Sequence, residues 1–334
     1  MTGELVLITG VSGHVGFRTL VATLGAGYHV RAIVRKSEQS DSIKAAKSVQ
    51  PFLANLEIVI LLDLLKEGAF DNILKDAMYI LHIASPLPFQ TENPENDIIE
   101  PAVKGTLNIL SAAQKTASVK RIVITSSLSL LIGNRLDLTK VHTELDLVPR
   151  PSPPYGKFST AYRNSKILAY YATMDWIEAN KPRFDIVNLF PSFIIGPNEL
   201  NSIAKQMGNG SNIFVMRPLL GIRNTENPAH FATVHVDDVA AAHVKTLNPN
   251  VKGGQSFLLS VPSQDGAWDD ALKIVRHSFP IIARRGLMPL NGTQPSLKIS
   301  LNPLKAEKEL GIIFKSYEEQ VKDLVGQYVK LAGP

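Results

Sequence analysis

The sequence predicts a doubly wound α/β fold, a parallel sheet covered by helices on both faces, with a smaller lobe after it. Three observations carry that prediction. Short apolar runs alternate with helix-capable segments through the first half of the chain. The runs are almost wholly apolar, which is the pattern of strands buried on both faces. The first run leads directly into glycines at three-residue spacing, in "ITGVSGHVG" (8–16).

The elements follow in order. "LVLIT" (5–9) is a strand ending at a glycine, and "VGFRTLVATLGAG" (15–27) is helical in pattern and stops at Gly27. "YHVRAIV" (28–34), "LEIVIL" (56–61), "MYILHIA" (78–84) and "RIVITS" (121–126) are further strands. Helix-capable stretches at 39–54, 66–75 and 96–116 separate them. "RPSPPYG" (150–156) is a proline-rich loop, followed by a long helix over roughly 157–180 and a sixth strand, "FDIVNLF" (184–190). Residues 192–232 read as loop, rich in Gly, Asn and Pro. "ATVHV" (232–236) with a helix at 237–247 could return to the sheet, "QSFLLS" (255–260) reads as another strand, and 265–279 and 302–330 read as surface helices. Residues 1–191, with returns near 233–260, are therefore expected to form a dinucleotide-binding Rossmann-type domain. Residues 192–232 and 261–334 are expected to supply a substrate-binding lobe and C-terminal helices.

Composition narrows the function. The 334 residues are 45 % apolar, enough for a sizeable core. The formal charge of +5 is scattered, and Arg35-Lys36 and Arg284-Arg285 are the longest basic clusters, far short of a nucleic-acid stripe. No cysteine is present, which excludes disulfides and thiolate chemistry. The start, "MTGELVLITG", lacks a basic n-region and a cleavage site, and no uncharged apolar run reaches about 18 residues. A cytoplasmic monomer or homodimer is expected. Asn209-Gly210-Ser211 and Asn291-Gly292-Thr293 match the glycosylation pattern and are read as chance. The histidines are dispersed with no His-x-x-x-His helix pair, so no metal is expected, and the absence of a Gly-x-Ser-x-Gly elbow argues against a hydrolase of that type.

The glycine loop points to a dinucleotide. Gly10 permits a sharp turn, Gly13 removes a Cβ where backbone must approach a pyrophosphate, and Gly16 lets the next helix pack against the strand. Free amides at that helix's start then face the phosphates. A ribose 2′-hydroxyl would want an acidic residue about 20 residues further on. "AIVRKSEQ" places Arg35 and Lys36 there instead, which suits a 2′-phosphate and hence NADPH. After the third strand, Asp63 could accept from the adenine amino group with Leu64 against the ring, or simply cap the strand end. "HIASP" (82–86) would run beside the cofactor, with His82 itself a packed core residue.

"YRNSK" (162–166) places Tyr162 and Lys166 at i and i+4, on one helix face. A phenol near pKa 10 exchanges its proton poorly at neutral pH, and a nearby ammonium favours the phenolate. "VITSSLS" (123–129) adds Ser126 and Ser127 at the end of the fifth strand, where a hydroxyl could hold a carbonyl oxygen.

With these pieces assembled, the chain resembles the extended short-chain dehydrogenases/reductases of the epimerase/dehydratase superfamily over nearly its whole length. The motifs are "TGVSGHVG" (9–16), "DL" (63–64), "HIASP" (82–86), "ITSS" (124–127), "YRNSK" (162–166), "PSFIIGP" (191–197) and "HVDDVAAAH" (235–243). It is most similar to the dihydroflavonol reductase, cinnamoyl-CoA reductase and methylglyoxal reductase group, through "LHIASPLPF" and "EPAVKGTLNIL". The resemblance implies Ser127 as catalytic serine, Tyr162 as proton donor and Lys166 as ribose-binding partner. It implies cofactor contacts from Thr9, Gly10, Gly13, His14, Val15, Gly16, Arg35, Lys36, Asp63, Leu64, Ala84, Ser85, Pro86, Pro191, Phe193 and Ile194, besides Tyr162 and Lys166. Two residues depart from the pattern: Ala102 stands where many members have Asn, which puts a water relay through that position in doubt, and Leu128 follows the serine where small residues are usual.

The expected reaction is NADPH-dependent reduction of a ketone or aldehyde on an apolar, aromatic or polyketide-like substrate of specialised metabolism. Phe89, Phe193, Met207, Phe214 and Met216 are candidates for its pocket or for ordinary packing. Two alternatives remain: an NAD-dependent nucleotide-sugar epimerase or dehydratase, which Arg35 and Arg163 disfavour, and a non-catalytic NADPH sensor, which the intact Tyr162–Lys166 pair disfavours.

Overall fold

A computed structural model describes residues 3–86, 90–132, 140–155, 158–262 and 266–333. Phe89 lies outside the described residues. The chain divides into two units: Met1–Leu136, Glu144–Phe190 and Ala240–Phe257 form the first, and Asp137–Thr143, Pro191–Val239 and Leu258–Pro334 the second.

The first unit is built on a seven-stranded sheet. Its strands are β1 (Leu5–Thr9), β2 (His29–Val34), β3 (Leu56–Ile60), β4 (Ala77–His82), β5 (Arg121–Thr125), β7 (Asp185–Pro191) and β11 (Ser256–Leu259), in the order β11-β7-β5-β4-β1-β2-β3. Pairing is parallel from β3 through to β7. Val6, Leu7 and Ile8 are all fully buried, and consecutive strand residues face opposite sides, so both faces of the sheet are covered. The covering helices include α1 (His14–Gly25), α2 (Ser37–Ala45), α3 (Glu100–Gln114) and α4 (Phe158–Asn180). The strand order reverses at β1 and β4, the crevice where doubly wound sheets bind ligands.

Some helices differ from the sequence reading. The 39–54 stretch splits: α2 ends at Ala45, Ala46 is extended, and Pro51 enters a 3₁₀ turn over Gln50–Asn55. Residues 66–75 form turns, because Gly68 and Asp76 take left-handed conformations at φ 72° and 63°. In the 96–116 stretch a π-helical turn, Glu95–Ile99, precedes α3.

In the second unit the strands are short parallel pairs: β8 (Phe193–Ile195) with β10 (Thr233–His235), β9 (Ala229–His230) with β12 (Ser296–Leu297), and β6 (Val141–His142) with β13 (Ser300–Leu301). The 192–232 stretch is not all loop. It contains α5 (Ile213–Leu219), held by complete burial of Val215, Met216 and Leu219 despite Pro218. After α6 (Val236–Lys245), the described residues form α7 (Asp270–Ser278), α8 (Pro280–Arg284), α9 (Leu304–Leu310) and α10 (Tyr317–Ala332) where C-terminal helices were expected. Gly311 ends α9 in the left-handed conformation, and Ser316 opens α10 by accepting from the Glu319 amide while Glu319 accepts from the Ser316 amide. Trp268 is fully buried among Phe193, Phe214, Phe231 and Tyr317. Met207 and Met216 are likewise fully buried in this core and offer no surface to a substrate. Among the described residues no helix is long and apolar enough to cross a membrane.

One buried cation ties the far side of the first unit together. Arg121 (5 % exposed) donates to both Asp185 oxygens, at 2.5 and 2.8 Å, and to the carbonyls of Thr246, Asn248 and Val251. Arg121→Leu strands these acceptors and is expected to lower stability by about 3–5 kcal/mol. Asp185→Asn leaves the three carbonyl contacts and should cost about 1–2 kcal/mol. Urea denaturation of both variants checks the order.

Candidate active site

The site is built where β1, β4 and β5 end. Gly10 takes φ 80°, and a Cβ there would stand 2.8 Å from the Ala84 amide, so only glycine lets the two strand ends lie this close. Thr9 locks them. Its hydroxyl accepts from the Ile83 and Ala84 amides at 3.2 and 3.1 Å and lies 3.0 Å from His82 Nδ1. With both lone pairs used, the hydroxyl proton goes to Nδ1, and His82 carries its own proton on Nε2. Thr9 is fully buried and its side chain is committed to this clamp. The sequence reading placed Thr9 at the cofactor, and in the structure its hydroxyl joins the ends of β1 and β4.

Gly16 and Gly13 do different work. A Cβ on Gly16 would fall 2.0 Å from the Gly10 carbonyl oxygen, which fixes how closely α1 packs on the loop. A Cβ on Gly13 would meet only the same oxygen at 3.4 Å, so the fold itself tolerates a side chain there. Gly13 is exposed, and α1 starts at His14 with Val15 beside it in the first turn. This open approach to first-turn amides fits a pyrophosphate.

At the end of β2, Arg35 and Lys36 are both exposed. Gln39 Oε1 accepts from their two amides, at 2.9 and 3.2 Å, and fixes the backbone that presents them. Neither cationic head makes an ion pair with a described residue, so both are available to an anion. Asp63 is exposed and accepts from the Leu65 amide at 2.8 Å, capping the turn. Leu64 packs partly against the first unit's core. Pro191, Phe193 and Ile194 belong to the second unit, where the Phe193 ring lies edge-on to Phe214 and Trp268.

Helix α4 delivers the phenol and the amine. Its start is tied down by Asn164, whose amide donates to the Tyr155 carbonyl at 2.7 Å. The loop before it is held by Arg150 on both Asp175 oxygens and by the Tyr171 hydroxyl on the Val148 carbonyl. Lys166 is 7 % exposed, and its ammonium donates to the Thr125 carbonyl at 3.0 Å. Burial lowers its pKa to about 8. Thr125 is anchored from its other side by a 2.7 Å hydrogen bond between its hydroxyl and His243 Nε2. The Ser127 side chain lies near enough to Tyr162 to pull its phenol pKa down. Ser127 in turn donates to Ser129 Oγ at 3.0 Å and accepts from its amide at 3.1 Å.

The electrostatics differ from the expectation in one respect. Burial pushes the Tyr162 phenol above its usual value, and the Ser127 side chain offsets only part of that rise. Lys166 does not pull the phenol down here. His82 is pushed down to about 3, first by burial and then by the charge of Lys166, so it stays neutral.

Ser126 and Ser127 part company. Ser127 faces the phenol, while Ser126 lines a cavity with Lys166, Ala84, Ser85, His82, Ala102 and Asn188. Leu128 is buried, not pocket-lining. Thr125 and Asn188 carry no local signature, since one acts through its carbonyl and the other from β7. In the second unit, His235, Asp237 and Asp323 bring potential ligand atoms within 4.8 Å of one another. The Lys315 ammonium lies 2.8 and 3.2 Å from the two carboxylates, so the group is already an ion-pair network.

Comparison with known proteins adds four findings. Residues 6–259 match the model of the NAD dependent epimerase/dehydratase family. The chain is 35 % identical to the ketoreductase CTB6 of Cercospora nicotianae, over 99 % of this chain and 96 % of that protein. It is 27 % identical to cinnamoyl-CoA reductase CAD2 of Medicago truncatula, over 97 % and 95 % of the two chains. Among solved structures, Gre2 of Candida albicans in complex with NADPH superposes with a TM-score of 0.84 at 26 % identity, covering 98 % of this chain and 99 % of that one.

The two glycines separate fold from ligand. Gly16→Ala is expected to lower stability by about 1–3 kcal/mol through overpacking. Gly13→Ala should leave the melting temperature nearly unchanged while weakening dinucleotide binding at least tenfold. Thermal melts and a binding titration on both variants distinguish the roles.

Proposed function

The chain belongs to the NAD dependent epimerase/dehydratase family, and from that premise we propose that it is an NADPH-dependent reductase of a ketone or aldehyde on a small apolar substrate. The observation that carries this reading is the meeting of the Tyr162 phenol and the Ser127 side chain one helical turn from the buried Lys166 ammonium. The family description also covers epimerases. The exposed Arg35–Lys36 pair, where a 2′-hydroxyl binder would want a carboxylate, favours a 2′-phosphate and so the reductase. The names of the ketoreductase relative and of the NADPH complex of Gre2 support the same choice.

NADPH, when bound, supplies the hydride. Gly13 would leave room for its pyrophosphate at the first turn of α1, and Arg35 and Lys36 would meet its 2′-phosphate. Ser127 and Tyr162 hold the substrate oxygen. A phenol whose pKa is raised by burial is fully protonated at neutral pH, which is the state a proton donor needs. As negative charge develops on the substrate oxygen, the Tyr162 hydroxyl gives up its proton. The phenolate left behind is stabilised by the Lys166 charge, an interaction that strengthens only as the reaction proceeds. Lys166 loses that charge as pH rises through about 8, so turnover declines over the same range.

Tyr162→Phe is expected to lower turnover about a hundredfold or more while NADPH binding stays within a factor of two. NADPH consumption against aliphatic, aromatic and diketone panels measures the first, and fluorescence titration the second. Unchanged turnover contradicts the assignment. Arg35→Asp should weaken NADPH by about 10- to 100-fold, the loss of one charge-assisted contact, and leave NADH nearly unaffected.

A further inference from the structure

A cavity of about 20 Å³ lies beneath the Lys166 ammonium, lined by β4, β5, β7, α3 and α4. A water needs roughly 10–15 Å³, so the space holds one or two. Several polar groups of its lining have no partner among the described residues. Asn188 is 4 % exposed, and its side-chain amide has no partner among the described residues. Ser126 is 7 % exposed, and its hydroxyl has none either. The Lys166 ammonium spends one N–H on Thr125, leaving two. His82 has its Nδ1 taken by Thr9 and its Nε2–H without an acceptor among the described residues. Buried polar groups of this kind are satisfied by ordered water.

The charged and titratable groups around Lys166 are few. His82 on β4 is neutral, Tyr162 and Tyr170 lie on α4, and His243 reaches Thr125 from α6. Tyr170 is engaged with Ser256. From α3 come Ala102 and Thr106, and Thr106 donates to the Ala102 carbonyl. Among the described residues no carboxylate lines the cavity. Among the described residues nothing ionic offsets the burial of the ammonium.

We propose that Asn188 is a positioning residue which, with Ser126, holds ordered water against the Lys166 ammonium, and that this hydrated cavity keeps Lys166 charged while Tyr162 donates its proton. The inference rests on the reductase reading above. Asn188 Oδ1 and Ser126 Oγ accept from water, water accepts from Lys166, and the Asn188 amide is the fixed end of the chain. The position that Ala102 leaves without an amide is thereby served from β7 instead of α3.

The test is the pH dependence of kcat with saturating NADPH and carbonyl substrate. Asn188→Leu removes the anchor and should move the alkaline limb to lower pH by about one unit, a tenfold change in proton affinity. Asn188→Asp puts a carboxylate in the same place and should move the limb to higher pH. Ser126→Ala should move it in the same direction as Asn188→Leu, by less, and serves if that variant does not fold. The KM for the carbonyl should change less than twofold in each. A limb that stays in place in Asn188→Asp and Ser126→Ala, with Tyr162→Phe inactive, overturns the inference and leaves the reductase reading intact. Full turnover in Tyr162→Phe removes the reading, and the inference with it.

Discussion

The hydrogen bond from Lys166 to the Thr125 carbonyl sets the geometry of everything near it. An ammonium this deeply buried must have an acceptor, and the end of β5 supplies one. The contact also fixes the register of α4 against β5. Two residues of extended chain, from Thr125 to Ser127, advance roughly 6.6 Å. Four residues of helix, from Lys166 back to Tyr162, rise about 6 Å. Because the two spans match and the helix runs against the strand, docking Lys166 on Thr125 brings Tyr162 to Ser127. The i, i+4 spacing is therefore the helical translation of a two-residue step on the strand.

The rest of the site protects this arrangement from competing charges. Thr9 draws the ends of β1 and β4 together and, by donating to His82, leaves that ring neutral. A protonated His82 beside Lys166 would repel it, and burial forbids that state until pH nears 3. The cation in the crevice is then the lysine alone among the residues lining the cavity. Gly10 serves the same end, since no other residue would let the backbone of β1 meet that of β4 at 2.8 Å from the absent Cβ.

Much of this could be read from the chain itself, for a physical reason. The glycine triplet and the Tyr162–Lys166 pair are local patterns, set by one turn and one helix, and local patterns survive in sequence. The six strands that alternate with helices announce themselves through continuous apolar runs. The choice between Ser126 and Ser127 does not, because adjacent residues of an extended chain face opposite sides and the sequence does not say which side holds the phenol. Thr125 and Asn188 are silent for a similar reason: one works through a carbonyl any residue possesses, the other through a cavity shared by five elements. Helix α5 hid behind Pro218 and its polar neighbours, since burial of Val215, Met216 and Leu219 is a tertiary fact. The split between α9 and α10 was written in Gly311 and the Ser316–Glu319 pair, signals that a continuous helical pattern overran.

The central claim is that Lys166 is a buried ammonium weakened by desolvation and kept charged at neutral pH by the contacts around it. Carbon-detected NMR titration of lysine labelled at Cε, assigned with Lys166→Arg, tests it directly. The account predicts that the Lys166 resonance titrates near pH 8, well apart from the surface lysines. A midpoint near the ordinary value of 10.5 would mean that the amine stands in water, and would contradict it.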